Sequence, residues 1–163
     1  MAFRLFSNDF IEGGTLPMKQ VINGFGHHGE SQSPQLSWED APDGTKSFVV
    51  TMYDPDAPTG SGFRHWVAID LPAGIHELPA GAGSGAASLP AGSRQTRNDL
   101  GTREYAGAAP PPGPAHRYVY TVQALSVEEL PVPDDASGVL VGFMAGMHSL
   151  GKATLTANFG ADR

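Results

Sequence analysis

Asp54, His65 and His116 are the residues of this chain whose types and surroundings point to chemistry done together. Asp54 lies in Tyr53-Asp54-Pro55-Asp56-Ala57-Pro58, where two prolines fix the backbone and force the residue before each into extended geometry. By strand alternation it shares a face with Phe48, Val50 and Met52, which puts a carboxylate at the end of an apolar row. His65 opens a second extended stretch in phase with Val67 and Ile69, and His116 a third, in phase with Tyr118, Tyr120 and Val122. If these stretches are neighbours in one sheet, Asp54, His65 and His116 converge at one edge with Tyr118 beside them. Protonated imidazoles give an anion charge-assisted hydrogen bonds, and a carboxylate fixes the tautomer of one ring and raises its pKa. Taken singly, the Asp-Pro segment reads as an ordinary turn and each histidine as a hydrogen-bonded structural residue.

Four segments have the β-branched and aromatic content of strands and turn residues at their ends: Phe48 to Tyr53, His65 to Leu71, Arg117 to Ala124 and Ala153 to Phe159. They predict a mainly β domain, an antiparallel β-sheet sandwich with a few peripheral helices, formed as one unit over residues 1–163. Val139, Leu140, Phe143, Met144, Met147 and Leu150 recur at helical spacing after the capping candidates Asp134, Asp135 and Ser137. One amphipathic helix is expected there, closed by Gly151. Ser126 to Glu129 has capping-box spacing, but Pro131 and Pro133 limit it to a single turn. The 43 residues from Ala73 to Ala115 include 24 that are Ala, Gly or Pro. A connection so long and so poor in regular structure is expected to carry part of a site.

Composition removes several classes of function. The 163 residues carry 10 Lys and Arg against 17 Asp and Glu, a net charge of −7, which disfavours nonspecific binding to nucleic acid or stable association with an anionic membrane. With no cysteine, disulfides, thiolate metal sites and cysteine nucleophiles are absent. Asn8, Asp9 and Glu12 interrupt the apolar run a signal peptide needs, and no segment approaches the roughly 20 apolar residues of a membrane span, so a cytoplasmic location is expected. Gly24-Phe25-Gly26-His27-His28-Gly29 matches a dinucleotide fingerprint in letters, but Pro34 follows where the helix should begin, so it reads as a loop. Asp54 and Asp56 fail as the start of a calcium loop because Ala57 and Pro58 break the ligand alternation. The nucleophile-elbow, phosphate-loop and zinc-protease motifs are missing as well. A three-ligand metal site of Asp54, His65 and His116 is an alternative on residue type alone. No metal or cofactor is expected.

Ser33-Pro34-Gln35-Leu36-Ser37-Trp38, Asp54-Pro55-Asp56-Ala57-Pro58, His65-Trp66, and Pro110 to Gly113 leading to His116-Arg117-Tyr118 occur in the order and spacing of a known family. From Gly13 to Phe159 the chain resembles the phosphatidylethanolamine-binding proteins, which include Raf kinase inhibitor proteins, and in Asn98-Asp99 and Ser137 to Gly142 it is similar to their short bacterial branch. The resemblance implies an antiparallel β fold with a small anion pocket formed by Asp54, Asp56, His65, Pro111, His116 and Tyr118. It also implies a phosphate or phosphoethanolamine head group as ligand, a protein kinase as a partner, and a homodimer. Phe63 and Ser31 depart from residues common in the eukaryotic proteins. A non-enzymatic binding protein is the reading preferred. The alternative is a hydrolase with His116 or His65 as general base and Asp54 orienting it. A phosphate beside Asp54 is repelled unless the imidazoles are protonated or the ligand carries its own cation.

Overall fold

A computed structural model describes residues 2–161. In chain order its elements are β1 (Arg4–Phe6), a 3-10 turn (Met18–Gln20), β2 (Asn23–Gly24), β3 (His27–His28), β4 (Leu36–Glu39), β5 (Ser47–Asp54), β6 (Phe63–Pro72), β7 (Glu77–Leu78), β8 (Arg94–Gln95), β9 (His116–Leu125), α1 (Gly138–Met147) and β10 (Ser149–Phe159). A five-stranded sheet has the order β10-β9-β5-β6-β8, a three-stranded sheet the order β1-β4-β7, and β2 and β3 form a separate hairpin. The strand pairs are antiparallel. The fold is mainly β, as the sequence predicts.

Alternation along β5 sends its apolar residues into two cores. Phe48, Val50 and Met52 join Trp66, Ala68, Tyr118, Tyr120 and Val122 in a core that also contains Leu36 and Trp38 of the smaller sheet. Val49 points the other way, with Val67, Ile69 and Leu125, into a second cluster with Leu130, Val132, Val141 and Ala145. Buried on both faces, Phe48 to Val50 read as an unbroken apolar run, and each large side chain so buried contributes about 1.5–3 kcal/mol.

Three expectations are corrected. The helix ends at Met147 with His148 as its C-cap, so Leu150 belongs to β10 and Gly151 sits at a register irregularity of that strand rather than capping the helix. Its N-terminus is as expected, the Ser137 hydroxyl accepting from the Leu140 amide at 3.1 Å. Of the apolar stripe, however, only Met144 packs against the core. Gly138, Val141 and Ala145 turn inward, while Phe143 and Met147 are 67% and 63% exposed. The inward face is made of small residues because the approach is close: a Cβ on Gly138 would strike the Arg64 side chain. The glycine-rich segment at Gly24 to Gly29 is likewise no shapeless loop, since Asn23 pairs with His28 and Gly24 with His27 across the β2–β3 hairpin.

Candidate functional site

The end of β5 and the beginnings of β6 and β9 lie at one edge of the large sheet, since β5 runs antiparallel between the other two. Simple alternation would still leave the histidines on opposite faces. Val67 and Ile69, in phase with His65, belong to the cluster beneath α1, whereas Tyr118 and Tyr120, in phase with His116, belong to the main core. A bulge resolves this. Met52 pairs with Trp66 and Tyr53 with Arg64, so His65 is the extra residue and its side chain is turned toward the His116 side.

Asp54, His65 and His116, all buried, meet at a cavity of about 440 Å³. The His116 Nδ1 donates to Asp54 Oδ2 at 2.7 Å, and Asp54 Oδ1 accepts from the Asp56 amide at 2.8 Å. His65 Nδ1 donates instead to the Ala106 carbonyl at 3.1 Å, while the Ala106 amide returns a bond to the His65 carbonyl at 2.9 Å. With Nδ1 of each ring engaged, Nε2 is the nitrogen each leaves for a ligand. Burial pushes the His65 pKa below its usual value, outweighing the nearby Asp54 carboxylate and the carbonyls of Ala106 and Gly107. The sequence pointed to the upward pull of a carboxylate, and at His65 desolvation prevails over it. Among the described residues the lining includes no Lys or Arg, and its one hydroxyl, that of Thr59, donates to the Gly62 carbonyl at 2.6 Å.

The remaining site candidates fall in different places. Pro111 lines the cavity with Pro110 and Pro112. Tyr118 lies below it, fully buried, its ring 5.6 Å from that of His65 in an edge-on contact and 6.5 Å from that of His116 in a stacked one. Burial foremost, and then the Asp54 charge, push its hydroxyl above the usual tyrosine range. Asp56 stands outside the lining, because both of its oxygens are taken by Arg117: Nη2 to Oδ1 at 2.8 Å, Nε to Oδ2 at 3.0 Å and the backbone amide to Oδ2 at 2.8 Å. Those bonds hold its carboxyl down at about 2. Among the described residues no group of three or more His, Cys, Asp or Glu is arranged to hold a metal ion.

Some of the wall could not be read from side-chain chemistry. The connection from Ala73 to Ala115 supplies Leu100, Gly107 and Ala109 to Pro112, as well as the carbonyl that holds His65. Gly107 is required where it stands, because a Cβ there would run into the backbone of Val21 and Ile22. Tyr105 anchors the same stretch, its hydroxyl 2.9 Å from both the Gln20 carbonyl and the Tyr120 hydroxyl. On the other side, His27 Nε2 lies 2.9 Å from the Pro110 carbonyl and ties the β2–β3 hairpin to the proline wall, which brings Phe25 to the rim. An aromatic residue between two glycines was the available signal for Phe25.

Residues 6–160 match the phosphatidylethanolamine-binding protein family. The UPF0098 protein YbhB of Escherichia coli K12 is 54% identical over 156 residues, covering 96% of this chain and 99% of that protein. The UPF0098 protein YbcL of the same organism is 45% identical over 157 residues, covering 95% and 86%. The crystal structure of E. coli YbcL, described as a new member of the mammalian PEBP family, superposes with a TM-score of 0.95 at 42% identity, over 99% of this chain and all of that one.

Proposed function

Because the chain belongs to the phosphatidylethanolamine-binding protein family, we propose that its cavity binds the head group of a small anionic ligand of the phosphate or phosphoethanolamine kind, without turning it over. One observation carries this reading: the two imidazoles that share the cavity both have Nδ1 tied to the protein, so each offers its Nε2 to one guest. As imidazolium, each donates a charge-assisted hydrogen bond to an oxyanion. Asp54 is no obstacle to the anion so long as the positive charge beside it is present, and an ammonium on the ligand adds to that charge.

A binding role is favoured over hydrolysis by what surrounds the dyad. Asp54 and His116 have the geometry of an oriented general base, but among the described residues the one hydroxyl in the lining is bonded elsewhere and no Lys or Arg stands ready for a developing oxyanion. The test is nitrogen-15 NMR of the histidine rings during addition of phosphoethanolamine at pH 6. The Nε2 signals of His65 and His116 should both move, with those of His28 and His76 unmoved. Rings that stay silent at millimolar ligand would refute the reading.

A further inference from the structure

The cavity is too large and too apolar for a head group alone. A water occupies about 30 Å³ of liquid, so about 440 Å³ is room for roughly fifteen, several times what a tetrahedral oxyanion fills. Apart from Asp54, His65 and His116, the wall is built mainly of Phe63, Ile22, Ala57, Ala109 and prolines.

Two rim residues stand out. Phe25 is 73% exposed and Leu100 44%. Among the described residues away from α1 and the start of β10, the large exposed hydrophobic ones are Ile11, Met18, Phe25 and Leu100, and two of these four line this one cavity. Burial explains neither placement. Phe25 takes a φ of 51° at a hairpin tip flanked by Gly24 and Gly26, a conformation that glycine or asparagine adopts at less cost than a bulky side chain. Strain of that sort collects at ligand clamps. Leu100 rides on a turn made rigid by Asn98, whose side-chain oxygen accepts from the Leu100 amide at 3.0 Å and the Thr102 amide at 3.1 Å, while Asp99 accepts from the Arg64 amide at 2.7 Å.

We propose that the ligand is a small, soluble amphiphilic anion, whose oxyanion head meets His65 and His116 and whose compact apolar group is enclosed by Phe25 and Leu100. The proposal rests on the anion reading above and adds the class of molecule. Among the described residues the lining has no Lys or Arg, so the imidazoles are its cationic grip on the head, and the walls add affinity by burying apolar surface. A free metabolite-sized molecule is favoured over a bilayer, because the net charge of −7 opposes approach to an anionic surface.

Calorimetry at pH 6 with methanesulfonate and benzenesulfonate tests it, since both carry one fixed charge and differ only in the apolar group. In the wild type, benzenesulfonate should bind at least about tenfold more tightly. In the double variant Phe25→Asn, Leu100→Ser most of that difference should vanish while methanesulfonate affinity holds. Both positions are exposed, and asparagine tolerates the positive φ, so the fold should be kept; thermal melting checks this, and Leu100→Ser alone serves if the pair fails to fold. Equal affinities in the wild type, or a difference untouched by the variants, would overturn the clamp and leave the anion reading standing. Binding of neither sulfonate, with silent histidine rings, would remove the anion reading and the clamp together. Co-sedimentation with phosphatidylethanolamine vesicles without binding of benzenesulfonate would assign the rim to a bilayer and overturn the proposal.

Discussion

The anion binding proposed above must draw protons out of solution, and the reasoning is sharpest at His65. Its Nδ1 proton is committed to the Ala106 carbonyl, so in the neutral ring Nε2 is an acceptor and can only repel an oxyanion. To donate from Nε2 the ring must become imidazolium. Free His65 resists this, since burial lowers its pKa below the usual 6.5 or so. The groups that face it are Asp54 and Asp99, whose charges raise the value, the Ala106 and Gly107 carbonyls, and the rings of Phe63 and Tyr118. A bound anion stabilises the charged form, so the pKa is higher in the complex than in the free protein. Between those two values one proton is taken up at His65 for each anion bound, and affinity falls about tenfold per pH unit as pH rises.

The perturbation is therefore pH itself, with methanesulfonate as the ligand because its charge is constant. From pH 6 to 8 the association constant should fall by up to about a hundredfold in the wild type. Calorimetry in buffers of different ionisation enthalpy should show about one proton absorbed per ligand at His65. In His65→Asn the slope should flatten by one. A wild-type affinity that holds within about twofold across this range, or an unchanged slope in His65→Asn, would refute the reasoning and assign the grip to backbone amides.

The same ring makes ligand-free stability depend on pH in the opposite sense to a salt-bridged histidine. Its folded pKa is lowered, so its contribution is complete above about 6.5 and is lost as pH falls below that; the melting temperature should drop over this interval in the wild type and less in His65→Gln. Gly107→Ala places a methyl group against backbone and should destabilise by about 1–3 kcal/mol in urea titrations, with weaker anion binding than that loss explains, because the Ala106 carbonyl moves with it. Asp56 should titrate near 2 by NMR in the wild type and return toward 4 in Arg117→Gln. For the homodimer we propose the outer face of α1, because residues 138–151 include no Asp, Glu, Lys or Arg and two chains of charge −7 can meet there without like-charge contacts; light scattering should show a dimer at micromolar concentration and a monomer for Phe143→Glu, and a wild-type monomer removes the idea.

How much of this was legible in the sequence depends on whether a side chain or a backbone position was at stake. The strands around Val50, Val67 and Val122 follow from β-branched runs, and Asp54 and His116 are found together because alternation and the Asp-Pro motif put each at a strand mouth. His65 reaches the site through a bulge, and a one-residue insertion leaves no mark in a pattern of period two. The helix misled for a related reason. Its bulky residues have the spacing of a buried face, but the small residues Gly138, Val141 and Ala145 make the contact, since closeness of approach counts there more than area. The Ala106 carbonyl and the Gly107 contact are backbone features, which residue types cannot announce.

The acidic motif, finally, acts on the site without having to touch the ligand. Asp54 holds the His116 ring, and two positions later Asp56 holds the Arg117 amide and guanidinium, so six residues fix two consecutive residues of a strand more than sixty positions away. Both oxygens of Asp54 are spent, one on the ring and one on the Asp56 amide. The carboxylate therefore sets which nitrogen of His116 carries the Asp-facing proton and directs the other toward the cavity. His65 gets the same tautomer from a carbonyl instead, held in turn by the Ala106 amide. Two unrelated devices thus impose one outcome on two rings, and both leave Nε2 as the nitrogen turned to the cavity.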